Sequence, residues 1–389
     1  MEPLRPVAVD AGISPTVTVR VSAIERELAR LWGDAERADG GYPALRPRTA
    51  NLIIATADAA DLVRAAEMAP RLAARHPGRA ILVGPAPSDA PSSSRLQATA
   101  AVHCPLTPHG RGRLCSEVVT LVGAADALDE TYSAVAGLLV PDLPVFLWWQ
   151  RPLPTGERLF SALTRLADCL LVDERTFADV SLGLRWLAQT ARRYAGDVAI
   201  ADLEWGRLTP WREVLARAFR APDTRAALDR ITSVAVHYAA RPAARSESPV
   251  PAGVVLLIGW LASRLGWHLA HEAHHNGPEG LPGWRRQYQR GGQEIVIQAA
   301  PDVASDLPAG EIVGIEILAP LDAAPLSVTV TREPDGVCVA TTVRLGEHLV
   351  RRQVAPLTVP AVDELVAAAL DAVATDPVYG DALRAATTS

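Results

Sequence analysis

Apolar and polar positions change period several times along this chain. The densest apolar run is Val145 to Trp149, VFLWW, set between Pro144 and Gln150-Arg151-Pro152. Five consecutive apolar residues without alternation predict a strand buried on both faces. Pro144 suits the start of such a strand, where a missing N–H is tolerated. Trp148 and Trp149 then point to opposite faces, so helices are expected on both sides.

Around that strand the chain alternates. Ser22 and Glu25 form a capping box, Ile24, Leu28, Leu31 and Trp32 share one helical face, and Gly33 marks the helix end. Residues 34 to 48 read as a polar connection. Strands are predicted at Leu52 to Thr56, Ala80 to Val83, Leu96 to His103 and Glu117 to Val122, the last two joined by CPLTPHGRGRLCS. Helices are predicted over Asp58 to Arg75, interrupted by Pro70, and over Ala124 to Leu139. Beyond VFLWW come a helix marked by Leu159, Phe160, Leu163 and Leu166, and a strand at Cys169 to Asp173. A helix marked from Phe177 to Ala191 and a strand at Val198 to Asp202 follow. Thr209 and Pro210 read as N-cap and first residue of the helix TPWREVLARAF, and Ile231 to Tyr238 as a strand. This rhythm predicts a mostly parallel sheet covered on both faces.

The segment ARPAARSESPVP, residues 240 to 251, reads as a linker. A helix is predicted from about Gly253 to His274. Short strands follow at Glu294 to Ala299, Glu311 to Leu318, Leu326 to Thr331 and Val337 to Val343, with Pro334-Asp335-Gly336 as a hairpin turn. Val362 to Val373 reads as a closing helix. The expected fold class is α/β: an N-terminal mostly parallel α/β sheet domain followed by a C-terminal α+β domain with antiparallel sheet. The expected divisions are an N-terminal helix and connection over 1–48, the α/β domain over 49–240 and the α+β domain over 241–389. A second possible border falls near residue 155.

Composition narrows the function classes. Hydrophobic residues make up 49% and charged residues 21%, the balance of a globular protein with sizeable cores. A net charge of −6 gives no steering towards nucleic acid or an anionic membrane. The basic side chains are all arginine, which excludes Schiff-base and P-loop lysine chemistry. MEPLRPVAVDAG lacks the apolar stretch of a signal peptide, and Val250 to Ala262 meets Arg264 too soon to span a bilayer. Cysteines at 104, 115, 169 and 338 show no CxxC or zinc-ribbon spacing, so a reduced, cytoplasmic protein with structural cysteines is expected.

Three stretches carry candidate chemistry. His271-Glu272-Ala273-His274-His275 matches H-E-x-x-H; on a helix, His271 and His275 would share a face for zinc, with Glu272 as base. Asn276-Gly277-Pro278 would end that helix at once, and no third ligand stands out, so a histidine-rich helix C-terminus explains it as well. The loop PHGRGRLCS sets His109, Arg111 and Arg113 beside two glycines, a possible anion site, but without a P-loop or G-x-G-x-x-G frame. Trp205, Arg207, Thr209, Pro210, Trp211 and Arg212 form either an exposed edge rich in hot-spot residue types or a packed corner of arginines on tryptophans.

Five motifs then occur in one order: HPGRAILV at 76 to 83, RLCSE at 113 to 117, PDLPVFLWW with Arg151-Pro152, WGRLTPWR at 205 to 212 and GWLASRLGW at 259 to 267. Over about residues 50 to 270 the chain resembles the OpcA-type glucose-6-phosphate dehydrogenase assembly proteins. The resemblance implies no catalytic residues, no cofactor and one partner, glucose-6-phosphate dehydrogenase, whose active oligomer it favours in support of the oxidative pentose phosphate pathway and NADPH supply. It marks Asp142, Pro144, Trp148, Trp149, Asp202, Trp205, Arg207, Thr209, Pro210, Trp211 and Arg212 as signature positions that either shape the fold or touch the enzyme. Cyanobacterial relatives are associated with redox control through a close cysteine pair near the C-terminus. Only Cys338 lies in that half here, so no essential disulfide is expected. The alternatives are a sugar-phosphate- or nucleotide-binding protein or enzyme using the Arg111–Arg113 loop, and last a zinc hydrolase at His271, Glu272 and His275.

Overall fold

The computed structural model describes residues 17–37, 44–45, 47–85, 96–105, 113–123, 128–154, 156–240, 250–276 and 282–388. In chain order the elements begin β1 (Val17–Val19), α1 (Ile24–Arg37), β2 (Ala44–Leu45), β3 (Ala50–Thr56), α2 (Ala59–Ala73), β4 (Gly78–Pro85) and β5 (Gln97–His103). Next come β6 (Arg113–Leu114), β7 (Ser116–Gly123), α3 (Leu128–Leu138), β8 (Val145–Gln150), α4 (Arg158–Thr164), β9 (Cys169–Val172), α5 (Val180–Arg193) and β10 (Ala199–Asp202). Then follow α6 (Leu203–Arg207), α7 (Thr209–Ala218), α8 (Pro222–Arg225), β11 (Ser233–Ala239), α9 (Ala252–Leu265), β12 (His268–Asn276) and β13 (Pro282–Arg290). The last are β14 (Gln293–Asp302), β15 (Ile312–Ala319), β16 (Leu326–Arg332), β17 (Cys338–Leu345), β18 (His348–Pro356), α10 (Val362–Leu370) and α11 (Pro377–Thr387).

Two compact units divide the chain, and they interleave along it. The first takes Met1–Thr176, Tyr194–Ala201 and Ala361–Ala374; the second takes Phe177–Arg193, Asp202–Pro360 and Thr375–Ser389. The first sheet has the order β1-β5-β7-β4-β3-β8-β9-β10 and is mostly parallel; the second runs β12-β13-β14-β11-β15-β16-β17-β18 and is mostly antiparallel. The α/β class with a parallel sheet followed by an antiparallel one is therefore observed. The chain division differs from the expected one. Ser233–Ala239 lies in the second sheet, parallel to β14 and antiparallel to β15, so the linker over 240–251 falls inside the second unit. The segment before residue 49 is no separate piece either: β1 pairs with β5 in the first sheet.

β8 sits where its sequence demands. It lies between β3 and β9, parallel to both, and Val145 through Trp149 are buried. Each large apolar side chain so buried contributes about 1.5–3 kcal/mol relative to exposure. Trp149 packs edge-on against Phe160 of α4, centroids 5.0 Å apart, and its Nε1 donates to the Pro152 carbonyl at 3.2 Å.

Local signals fail at identifiable places. α1 starts from a 3-10 turn at Val21–Ala23 in place of a Ser22 capping box and runs through Gly33 to Arg37, its last turn carrying Asp34 paired with Arg30 and Arg37. Thr209 is no N-cap: Leu208 already has helical backbone, so α6 and α7 follow each other with one residue between. α9 ends at Leu265, where Gly266 takes φ +67°, and after Trp267 the nine residues His268–Asn276 form β12. In the second half β12 replaces the end of the helix expected to reach His274, and β13, β18 and α11 have no counterpart among the expected elements.

Candidate functional site

The first sheet offers a ligand crevice by topology. Numbering β3, β4, β7, β8, β9 and β10 one to six, their spatial order is 3-2-1-4-5-6, the order of dinucleotide-binding sheets. The order reverses between β3 and β8, and in such sheets ligands sit beyond the strand C-termini at that point. A nucleotide pyrophosphate there needs a glycine-rich turn and a free helix N-terminus. The turn here is Thr56-Ala57-Asp58, without glycine. Asp58 caps α2 itself, its carboxylate accepting from the Asp61 N–H at 2.8 Å, and Asp61 adds a second acid in the first turn. Across the reversal, Arg151 donates to the Thr56 carbonyl at 2.9 Å and pairs with Glu157 at 3.0 Å. Carboxylate thus holds the position that phosphate would need. The missing glycines were legible in ATADAAD; the strand order was not.

At the opposite, N-terminal end of the same strands lies a buried ionic network. Arg79 and Glu117 are register partners on β4 and β7, and Nε of Arg79 donates to Glu117 Oε2 at 2.7 Å. Glu117 Oε1 accepts from Trp32 Nε1 at 2.7 Å and from Arg48 at 2.8 Å. Arg79 also reaches Glu25 at 2.5 Å and the Leu138 carbonyl at 2.6 Å, and its charged form is favoured by these carboxylates against the cost of burial. Beside it, the Asn51 side chain pairs with both backbone groups of Val140. These groups hold α1 and the strand starts in register. Asp142, in the turn before β8, takes φ +61°, a conformation Asp tolerates better than most residues. Pro144 presents its carbonyl to Asn51 N–H at 2.9 Å.

The tryptophan–arginine cluster of the second unit is a packed corner. Asp202 caps α6 through the Glu204 N–H at 2.9 Å, and buried Glu204 pairs with buried Arg207 at 3.0 Å. Trp205 is 6% exposed; its Nε1 donates to Asp376 at the start of α11 at 2.9 Å, and its ring lies 5.6 Å from Tyr379. The Arg212 guanidinium stacks 3.5 Å from the Trp205 ring centroid and donates to Thr209 Oγ1 at 2.8 Å. Burial pulls Arg212 down to about 10, against the opposing pull of Asp376 and Glu213. Trp211 is 2% exposed, with the Arg332 guanidinium 5.6 Å from its ring. Pro210 lies in the first turn of α7. Of the two readings of this stretch, exposed edge or packed corner, the indoles occupy the second.

The remaining candidates separate. His109 and Arg111 lie outside the described residues; Arg113 is on β6, paired in parallel with Ala44 of β2. His271, Glu272 and His275 stand on strand β12, not on a helix. Positions four apart on a strand are about 13 Å apart, too far to share one zinc ion with ligand distances near 2 Å. Glu272 instead pairs with Arg286 on β13 at 3.1 Å. Among the described residues no group of three or more His, Cys, Asp or Glu is placed to hold a metal, and no helix is long and apolar enough to cross a membrane. The cysteine expectation is overturned: Cys104 and Cys115 form a disulfide. Antiparallel pairing of His103 with Ser116 brings Cys104 and Cys115, which flank that pair, side by side. Cys169 and Cys338 are free, the Cys169 thiol pushed up to about 12 by burial.

A two-unit protein with the strand order of a dinucleotide-binding sheet and a carboxylate-capped α2 is the class that this geometry defines. Two family models match consecutive parts of the chain. Both describe the glucose-6-phosphate dehydrogenase subunit, its N-terminal domain over residues 69–189 and its C-terminal domain over 198–383. The chain is 33% identical over 201 residues to "Putative OxPP cycle protein OpcA" of Synechocystis sp., covering 51% of this chain and 39% of that one. It is 34% identical over 201 residues to the protein of the same description from Nostoc punctiforme, covering 51% and 40%. The chain thus spans about two fifths of the length of these relatives. An NAD binding oxidoreductase from Klebsiella pneumoniae superposes with TM-score 0.46 at 12% identity, over 87% of this chain and 94% of that chain. The chain belongs to the OpcA-type glucose-6-phosphate dehydrogenase assembly family.

Proposed function

We propose that this chain is a non-catalytic assembly factor that binds glucose-6-phosphate dehydrogenase in the cytoplasm and favours its active oligomer, supporting the oxidative pentose phosphate pathway. The observation that carries this reading is the match of both family domains, in order, along one chain. The carboxylate capping α2 supports the non-catalytic part, since a negative charge at that helix end disfavours a dinucleotide pyrophosphate. A binder raises activity only by its greater affinity for the active oligomer, so rate and oligomer mass must move together. The test titrates the purified chain into the cognate dehydrogenase while following activity and molar mass. A rise in substrate response together with a shift to larger dehydrogenase species is expected. No change in rate, substrate affinity or mass at saturating chain would end the proposal.

A further inference from the structure

Among the described residues, one face of the second sheet is buried and the other is half-buried to exposed. Ile295, Ile297, Val234, Val236, Ile315, Ile317, Val328 and Val330 point inward and are buried. Their alternate neighbours point outward and, apart from Gly314, are only half-buried or exposed. One outward row runs Arg285, Gln298, Ala235, Glu316, Thr329 across β13, β14, β11, β15 and β16 in register. An antiparallel sheet meant for water normally alternates with many charges on its solvent side. On this face Ser233, Ala235, Ala300, Ser327 and Thr329 are small and neutral, types suited to sheet-on-sheet packing, and they stand among Glu294, Gln298 and Glu316.

We propose that this outward face binds a second copy of the same chain. Arg285 and Glu316 are both exposed and make no ion pair among the described residues. They stand three strands apart in the same row, about 14 Å, too far to pair with each other. A two-fold axis lying along the strands between β14 and β11 maps β13 onto β15 of the second copy and keeps the row level. Arg285 of each copy then faces Glu316 of the other, twice per dimer, and the face is self-complementary as a closed two-fold interface requires. The overlap takes in β12 through β16. Six strands at about 4.8 Å spacing and roughly 25 Å long cover ~700 Å² per copy, close to the ~800 Å² per partner of standard interfaces.

Molar mass by light scattering, with circular dichroism to confirm folding, tests the arrangement on the full chain. The wild type is expected at twice the chain mass at micromolar concentration. Glu316→Arg sets like charges opposite each other and is expected to weaken the dimer by about tenfold or more. The exchange Arg285→Glu with Glu316→Arg is expected to restore it, a rescue that a merely destabilising substitution cannot give. A single-chain mass at roughly 100 µM, beyond the affinities usual for interfaces of this size, overturns the proposal. So does a Glu316→Arg dimer as tight as wild type, or a double variant that stays monomeric. A monomeric wild type whose binding to the dehydrogenase is lost on Glu316→Arg would give this face to that enzyme instead. The dimer stands or falls independently of the assembly role.

Discussion

His103 closes β5 beside the Cys104–Cys115 disulfide and is 8% exposed. Burial lowers its pKa from 6.5 to about 4, so it is neutral in the folded chain where the unfolded chain already takes up a proton. The unfolded state then binds more protons below 6.5, and stability falls as pH drops from 6.5 towards 4. The full shift is worth about 3 kcal/mol. Urea midpoints measured from pH 7.5 to 4.5 are expected to fall for the wild type and to fall distinctly less for His103→Gln. Equal slopes would show that other groups dominate the acid side. This residue drew no notice in the sequence because nothing local announces burial. The same holds for the signature residues: WGRLTPWR is visible as a cluster, yet the Trp205 partner Asp376 lies 171 positions downstream. Residue type was legible; the long-range partner that turns a candidate edge into a corner was not.

At the scale of elements, the glycines of α9 separate propensity from packing. α9 is buried nearly all round and lies against α11. A Cβ at Gly259 would collide with the Ala382 carbonyl and crowd Ala386, whereas one at exposed Gly137 in α3 meets nothing within 4 Å. Gly259→Ala is therefore expected to destabilise by about 1–3 kcal/mol through forced separation of the helices, despite its better propensity. Gly137→Ala is expected to stabilise by about 0.4–1 kcal/mol. Thermal midpoints of the two variants decide it, and shifts of the same sign would contradict the packing account. Element type was readable where one signal acted alone, as in VFLWW between prolines. It failed where signals competed. HLAHEAHH carries helix-favouring alanine and leucine, but Gly266 has already ended α9, and pairing with β13 makes the segment a strand. Gly33 shows the converse, a stop signal passed over in a last turn where Asp34 pairs with Arg30 and Arg37.

Over the whole molecule, the order of strands decides more than the elements do. No local pattern says that Ser233–Ala239 joins the second sheet, or that α10 and α11, seven residues apart, belong to different units. Only the assembled order reveals a dinucleotide-type sheet, and only then does ATADAAD acquire meaning as a phosphate turn replaced by an acid-capped one. Asp58 and Asp61 place two carboxylates where two phosphate charges would have to sit, and each such like-charge contact near a helix N-terminus works against binding. The unmodified chain is accordingly expected to show no rise in thermal midpoint with millimolar NAD or NADP. Occupancy at one hundred times Kd would add about 2.7 kcal/mol to stability, well within reach of the measurement. A saturable shift would mean that the crevice takes a dinucleotide despite its carboxylates, and the chain would have to be read as an enzyme or a nucleotide sensor. A flat response leaves the β3–β8 crevice as a structural joint, with Arg151 and Thr56 closing it from either side.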